Sequence, residues 1–209
     1  MKKRRKGTIG IFIVLLTVSA GFLFYYMGNR TLKEEGLSGK GAAKEQEWSE
    51  EGEGYRLYYD ESSGTYSYQI FSLENEIIEE GADIYRVAFI KEISDTIIHL
   101  AINVGSPARY ECFFDRETGE KSEGYFNVSA VNNRTVVYMD WTQEGEICLV
   151  IKDMFDKNRL YKEIIRDFSP TAVPSNDLTK AVFLDDTTLE IEYYVGEDYD
   201  SVKEVITIF

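Results

Sequence analysis

Large apolar residues recur at every second position along much of the chain beyond residue 84. The clearest stretch runs from Thr187 to Val195, where Leu, Ile, Tyr and Val alternate with more polar residues. This period places one row of side chains on each face of a β-strand, with the apolar row facing a core. Rows of the same kind follow Thr96 and Thr135, with Ile98, Leu100 and Ile102 in the first and Val137, Met139 and Trp141 in the second.

The three predicted strands have the same spacing of apolar residues relative to the turns that precede them. Each follows a short polar turn that ends in Thr96, Thr135 or Thr187, and core-type residues come two, four and six positions later. A further strand, 110–115 or 149–153, follows each of the first two and leads into another polar turn. Such turns predict hairpins between short antiparallel strands. A unit of about 39 residues with three or four short strands resembles a β-propeller blade.

The resemblance covers residues 84–209 and implies two regular units followed by a longer third. Three or four blades is near or below the smallest closed ring. The predicted fold class is therefore all-β: an antiparallel meander of short strands that forms an incomplete or small propeller, or a β-sandwich. One segment, 72–81, predicts a short helix instead, because Ser72 can cap its start and Gly81 can end it.

An uncharged apolar run of 20 residues, Thr8 to Met27, precedes all of these strands. A helix of that length spans the roughly 30 Å hydrocarbon core of a bilayer, so the run predicts one N-terminal transmembrane helix that acts as a signal anchor. Val18-Ser19-Ala20 leaves cleavage by a signal peptidase as the alternative, although the run stays apolar beyond it. Positive charge ahead of the run keeps the N-terminus in the cytoplasm. These charges are Lys2, Lys3, Arg4, Arg5 and Lys6.

The predicted organisation has four regions. Residues 1–7 form a cytoplasmic basic segment, 8–27 the anchor, 28–54 a flexible acidic linker and 55–209 an extracytoplasmic all-β domain. The linker is assigned because it holds too few large apolar residues to offset the entropy lost on ordering. The predicted localisation is the cell membrane, with a single span and with the C-terminal domain outside the cytoplasm.

Charge is distributed unevenly between these regions. The first 30 residues hold six of the 23 Lys and Arg and no acid, which leaves 17 basic against 37 acidic side chains in the remainder. An acidic surface repels phosphate, so nucleic acid is excluded as a partner of the domain and anionic lipid head groups are poor partners. The membrane, together with a protein, peptide or cell-surface polymer of unknown identity, remains as the predicted partner.

Few residues offer catalytic chemistry. His99 is the only histidine, and the sequence has no nucleophile elbow, phosphate-binding glycine loop or zinc-protease motif. No cofactor is predicted apart from calcium, for which acidic turns provide oxygen ligands without matching the helix-loop-helix calcium pattern. Solvated turns are the alternative explanation for these acids. The calcium candidates are Asp60, Glu61, Asp198 and Asp200.

Two cysteines, Cys112 and Cys148, lie in predicted strands of the exported domain. A disulfide between them would close a long loop and stabilise the domain by about 3 kcal/mol. Cys148 aligns with Tyr110 in the repeat frame, however, so the two strands need not be neighbours, and two buried free thiols are the other interpretation.

These features favour a membrane-anchored extracytoplasmic binding or assembly module without catalytic activity. Two other classes stay open. One is an extracytoplasmic sensory or regulatory subunit of a membrane complex. The other is a carboxylate-dependent enzyme that acts on cell-surface glycan, since two carboxylates at the right separation can hydrolyse a glycosidic bond.

Overall fold

The computed structural model describes residues 48–209, and these residues form an all-β fold. Their one helical element is a 3₁₀ turn, Pro174–Asn176, and no helix within residues 48–209 has the length and apolar character needed to cross a membrane. The predicted anchor from Thr8 to Met27, the cations before it and the linker up to residue 47 lie outside the described residues.

The strands form four antiparallel sheets, each built from strands that are consecutive in the chain. The first sheet holds β1 (Glu50–Glu51), β2 (Tyr55–Asp60), β3 (Thr65–Phe71) and β4 (Ile77–Ile84). The second holds β5 (Ala88–Ser94), β6 (Ile97–Asn103), β7 (Arg109–Asp115) and β8 (Tyr125–Phe126). The third holds β9 (Ala130–Asn132), β10 (Thr135–Trp141), β11 (Ile147–Asp153) and β12 (Leu160–Ile165). The fourth holds β13 (Leu178–Asp185), β14 (Thr188–Val195) and β15 (Asp200–Thr207).

The sheets pack face to face in chain order, with a separate apolar core between each successive pair. The first core contains Leu57, Ile70, Ile98, Leu100 and Phe114. The second contains Ile97, Phe113, Tyr125, Val136 and Met154, and the third contains Val137, Leu149, Ile151, Leu189 and Ile191. The second and third sheets are therefore covered on both faces, which is why adjacent residues such as Ile97 and Ile98 are both buried.

Strand direction gives this stack of sheets two ends. The chain passes from one sheet to the next at residues 85–87, 127–129 and 166–177, and the hairpin turn 104–108 lies at that same end. We call it the connection end. The opposite end, the turn end, carries the hairpin turns at Thr96, Thr135 and Thr187.

The structure confirms the all-β prediction and most of the predicted strands. Thr96, Thr135 and Thr187 each begin or directly precede the second strand of successive sheets. The row on β14 is buried, with Leu189 and Ile191 fully inaccessible. Trp141 departs from its predicted row and is 46% exposed, because it lies at the open end of β10.

The helix predicted over 72–81 is wrong. The hydroxyl of Ser72 does accept backbone N–H groups, from Glu74 at 3.2 Å and from Glu76 at 3.2 Å, but the capped structure is a turn. The chain then continues as β4, which pairs along β3. The cross-strand hydrogen bonds to β3 outweigh the local helical pattern. The first sheet also begins ahead of Tyr55, since β1 lies inside the segment 28–54 assigned to the linker.

Candidate functional site at the connection end

Two adjoining clefts form one groove across the connection end. The first has a volume of about 450 Å³ and is lined by residues from 85–87 and 103–109. The second has a volume of about 380 Å³ and is lined by residues from 107–109, 127–129 and 175–181. Because Pro107 and Arg109 line both clefts, we treat them as a single feature, the connection groove.

Asn127 fixes one wall of the connection groove. Its backbone N–H donates to the Arg109 carbonyl at 3.1 Å, and its Oδ1 accepts the Arg109 N–H at 2.8 Å. Its Nδ2 donates to Ser175 Oγ at 3.0 Å. The backbone of Asn127 is left-handed, with φ of 52°, a conformation that Asn adopts more readily than most residues. One side chain thus ties the start of β7 to the segment before β13.

The buried carboxylate of Glu111 also holds this wall of the groove in place. Glu111 is 1% exposed, and its Oε1 accepts the N–H of Val128 at 2.9 Å. Its Oε2 lies 2.7 Å from His99 Nε2, close but without the alignment of a regular hydrogen bond. The His99 ring stacks on Phe113 with centroids 4.8 Å apart. His99 therefore belongs to the packed interior between the second and third sheets, beneath the groove.

The side chains that line the connection groove include three cations and no carboxylate. Arg86 forms no ion pair or side-chain hydrogen bond within residues 48–209. Arg109 is half exposed, and its Nη2 lies 3.7 Å from Glu111 Oε1. Lys180 is neutralised by Glu190, with Nζ and Oε1 2.6 Å apart. In a chain with 37 acidic residues, this lining gives the groove a local positive charge.

Asp177 is a buried acid close to this groove. It is 1% exposed, and its Oδ2 has no hydrogen-bond partner in the described part of the chain. Burial raises the pKa of this carboxyl to about 6. Its backbone is well held, since its N–H donates to the Pro174 carbonyl at 3.1 Å and its carbonyl accepts the Tyr194 N–H at 2.9 Å.

The four calcium candidates also lie at the connection end, on two separate turns. Asp60 and Glu61 are in the β2–β3 turn, while Asp198 and Asp200 are in or next to the β14–β15 turn. Hydrogen bonds from the Ser62 hydroxyl at 2.7 Å and from its N–H at 2.8 Å lower the pKa of Asp60. Residues 48–209 contain no group of three or more His, Cys, Asp or Glu side chains placed to hold a metal ion.

The two cysteines lie in different layers of the stack. Both are buried and free. Cys112 belongs to the core between the first and second sheets, and burial raises the pKa of its thiol to about 12. Cys148 lies on β11 in the third sheet, and its Sγ donates to the Asp140 carbonyl at 3.6 Å. The structure therefore does not bring the two thiols together.

Sequence reasoning did not find the residues that line this groove. Arg86 and Asn127 occupy short connections and Arg109 is the first residue of β7, where neither a strand period nor a known motif marks them. The net charge of the domain is negative, and a net charge does not show that one face carries a local positive charge. The useful sequence pattern would be that 85–87 and 103–109 hold two arginines and no acid.

A comparison of the chain with protein-family models gives no match, and neither the curated proteins nor the solved structures give a significant one.

Proposed function

We propose that this chain is a membrane-anchored extracytoplasmic binding or assembly module without catalytic activity, and that its ligand occupies the connection groove. The observation that supports the proposal most is the acid-free lining of that groove, in which connections from three sheets meet. Clefts where several loops of a rigid β-scaffold converge are common binding sites. The interior position of His99 also leaves the only imidazole poorly placed for acid–base chemistry on a ligand in the groove.

We also propose that the four sheets are successive blades of an incomplete or small propeller. Support comes from their order: each sheet is a meander of consecutive strands, and each packs on the next in the chain. On this proposal, the connection groove lies where the loops of successive blades meet. On this proposal, residues 8–27 tether the module to the membrane and its C-terminal domain works outside the cytoplasm.

Equilibrium binding to the full-length protein in lipid nanodiscs tests this proposal. The probes are short acidic, basic and neutral peptides and soluble fragments of cell-envelope polysaccharide. We expect at least one probe to bind saturably and Arg86→Glu to weaken it. Cleavage of a polysaccharide probe without saturable binding would instead support the carboxylate-dependent enzyme. Binding only when a second membrane protein shares the nanodisc would support the sensory or regulatory subunit.

A further inference from the structure

The positive lining of the connection groove selects for a negatively charged ligand. We propose that the connection groove binds an acidic peptide segment in an extended conformation, an inference that rests on the binding function proposed above. Arg86 has no partner within residues 48–209, so its charge is available to a carboxylate. Arg109 is only partly compensated, because the Glu111 carboxylate that lies 3.7 Å away also contacts His99. Both guanidinium groups can form charge-assisted hydrogen bonds with Asp or Glu side chains.

A peptide is favoured over a polysaccharide because a strand edge faces the groove. β13 is the edge strand of the fourth sheet, and Leu178, Thr179, Lys180 and Ala181 from its first half line the groove. The second half leads to Asp186, where the third sheet comes close, since Asn132 Nδ2 lies 3.1 Å from Asp186 Oδ1. The first half of the β13 edge is therefore the part that lies in the groove. An extended peptide can pair with such an edge through its main chain, whereas a polysaccharide has no peptide groups to offer.

The β13 edge and the two arginines contribute to recognition in different ways. The edge of β13 provides main-chain hydrogen bonds, which hold any extended segment, and the two arginines select segments with acidic side chains. Side chains of a bound strand alternate between its two faces, so acids at every second position would point to one side. The expected ligand is therefore a segment in which Asp or Glu alternates with small or apolar residues. The acidic surface elsewhere on the domain would keep such a segment away from other sites.

The test measures binding of a labelled peptide of alternating Glu and Val, about six residues long, to the full-length protein in nanodiscs. The Arg86→Glu/Arg109→Glu variant should weaken binding about tenfold or more, because it replaces two attractive contacts by repulsive ones. The matched control is Lys157→Glu/Arg159→Glu, which makes the same change of net charge in the β11–β12 turn at the opposite end. It should leave binding within about twofold of the wild type. The neutral Arg86→Gln/Arg109→Gln variant should lose an intermediate amount of peptide affinity. It keeps the test valid if the charge-reversed variant does not fold.

A second measurement tests the strand edge. The same peptide with N-methyl groups at alternate positions keeps its charge but cannot donate main-chain hydrogen bonds there, so at least one of the two methylation frames should bind about tenfold more weakly. An oligogalacturonate of equal charge should bind more weakly than the peptide. Equal loss in the control variant, indifference to both methylation frames, or tighter binding of the oligogalacturonate would each overturn the proposal. If another probe binds while the acidic peptide does not, the peptide inference fails and the proposed binding function stands; polysaccharide cleavage without binding would remove both.

Discussion

Two arginines, Arg116 and Arg86, lie at opposite ends of the stack and have opposite surroundings. At the turn end, Arg116 is 5% exposed and donates to three backbone carbonyls, those of Asp95, Phe71 and Glu53. At the connection end, Arg86 has no such partner within residues 48–209. An arginine that donates three hydrogen bonds to its own fold contributes to stability, whereas one without such partners remains available to a ligand.

The turn end also carries a backbone contact that is repeated in the second, third and fourth sheets. The N–H groups of Arg116, Met154 and Ile208 each donate to a carbonyl in a hairpin turn of the same sheet, at 2.8, 2.8 and 2.7 Å. Arg134 pairs with Asp115 of the neighbouring sheet and lies 4.5 Å above the Phe155 ring. At the connection end, the N–H groups of Asn103 and Tyr194 donate in a similar way to the carbonyls of Val87 and Asp177, both at 2.9 Å. The difference between the two ends therefore lies in side-chain contacts such as those of Arg116 and Arg134.

The largest expected effect is at Arg116. Arg116→Ala removes a buried side chain and leaves three partly buried hydrogen bonds without their donor, so we expect the free energy of unfolding to fall by about 3 kcal/mol. Arg86→Ala is the matched variant at the other end and should change it by less than about 0.5 kcal/mol. Urea unfolding followed by circular dichroism measures both. Similar losses for the two variants would remove the contrast between the ends.

Arg134 tests the contact between the second and third sheets. Arg134→Met keeps much of the packing on Phe155 but leaves the Asp115 and Asp153 carboxylates without their cation, and should cost about 2 kcal/mol near neutral pH. Burial favours a raised pKa for Asp153, but hydrogen bonds from the Asp156 and Phe155 N–H groups and the charge of Arg134 together lower it. A lowered pKa stabilises the fold above the usual carboxyl value, and this stabilisation is lost as the pH falls through the lowered value.

The difference between the Arg134→Met variant and the wild type should therefore shrink in acid. Urea midpoints measured between about pH 7 and about pH 3 follow this change. Arg159→Met provides the control with a pH-independent difference, because Arg159 stacks on Tyr161 and forms no ion pair within residues 48–209. A gap between Arg134→Met and the wild type that stays constant down to about pH 3 would contradict the assigned role of the ion pairs.

The sheets were predictable from sequence because their determinants are local. A hairpin needs only an alternating row and a polar turn, and both are visible around Thr96, Thr135 and Thr187. The burial of both faces of β6 was not visible, since it depends on the sheets that pack on either side. The predicted helix at 72–81 failed for the same reason: its hydrogen-bond partners lie on β3.

The groove was less predictable than the sheets. Arg86 lies just before β5 and Arg109 begins β7, and Asn127 and Ser175 are brought together across a large separation in sequence. Convergence of this kind depends on the stacking of whole sheets, which no short pattern encodes. Cys112 and Cys148 illustrate the same point, because two strand positions with equal hydrophobic character end in different layers.

Asp177 offers a third comparison, because the connection end carries an acid that the fold does not satisfy. Its folded pKa of about 6 lies above the ordinary value of 3.8. The contribution of protonated Asp177 to stability is therefore fully present below pH 3.8 and is lost as the pH rises through about 6. Asp177→Asn removes the ionisation. We expect the variant to be more stable than the wild type by about 1 to 2 kcal/mol above about pH 7, and equal to it near about pH 4.

Urea unfolding across this pH range measures the effect of Asp177→Asn. Asp60→Asn, at an exposed acid whose pKa is lowered by hydrogen bonds from Ser62, is the control and should not gain stability as the pH rises. A variant Asp177→Asn that is no more stable than the wild type at neutral pH would mean that this carboxylate has a partner when ionised.

The smallest effects should be alike at the two ends, because they depend on single turns. Gly64 at the connection end and Gly119 at the turn end have φ of 69° and 73°, and a Cβ added at either would meet no atom within 4 Å. Alanine at each should therefore cost about 1 kcal/mol from the left-handed backbone alone. If urea unfolding shows that the two alanine variants lose equal free energy of unfolding, the difference between the ends arises from side-chain contacts such as those of Arg116. A much larger cost at Gly119 would instead place part of that contrast in the backbone of the turns.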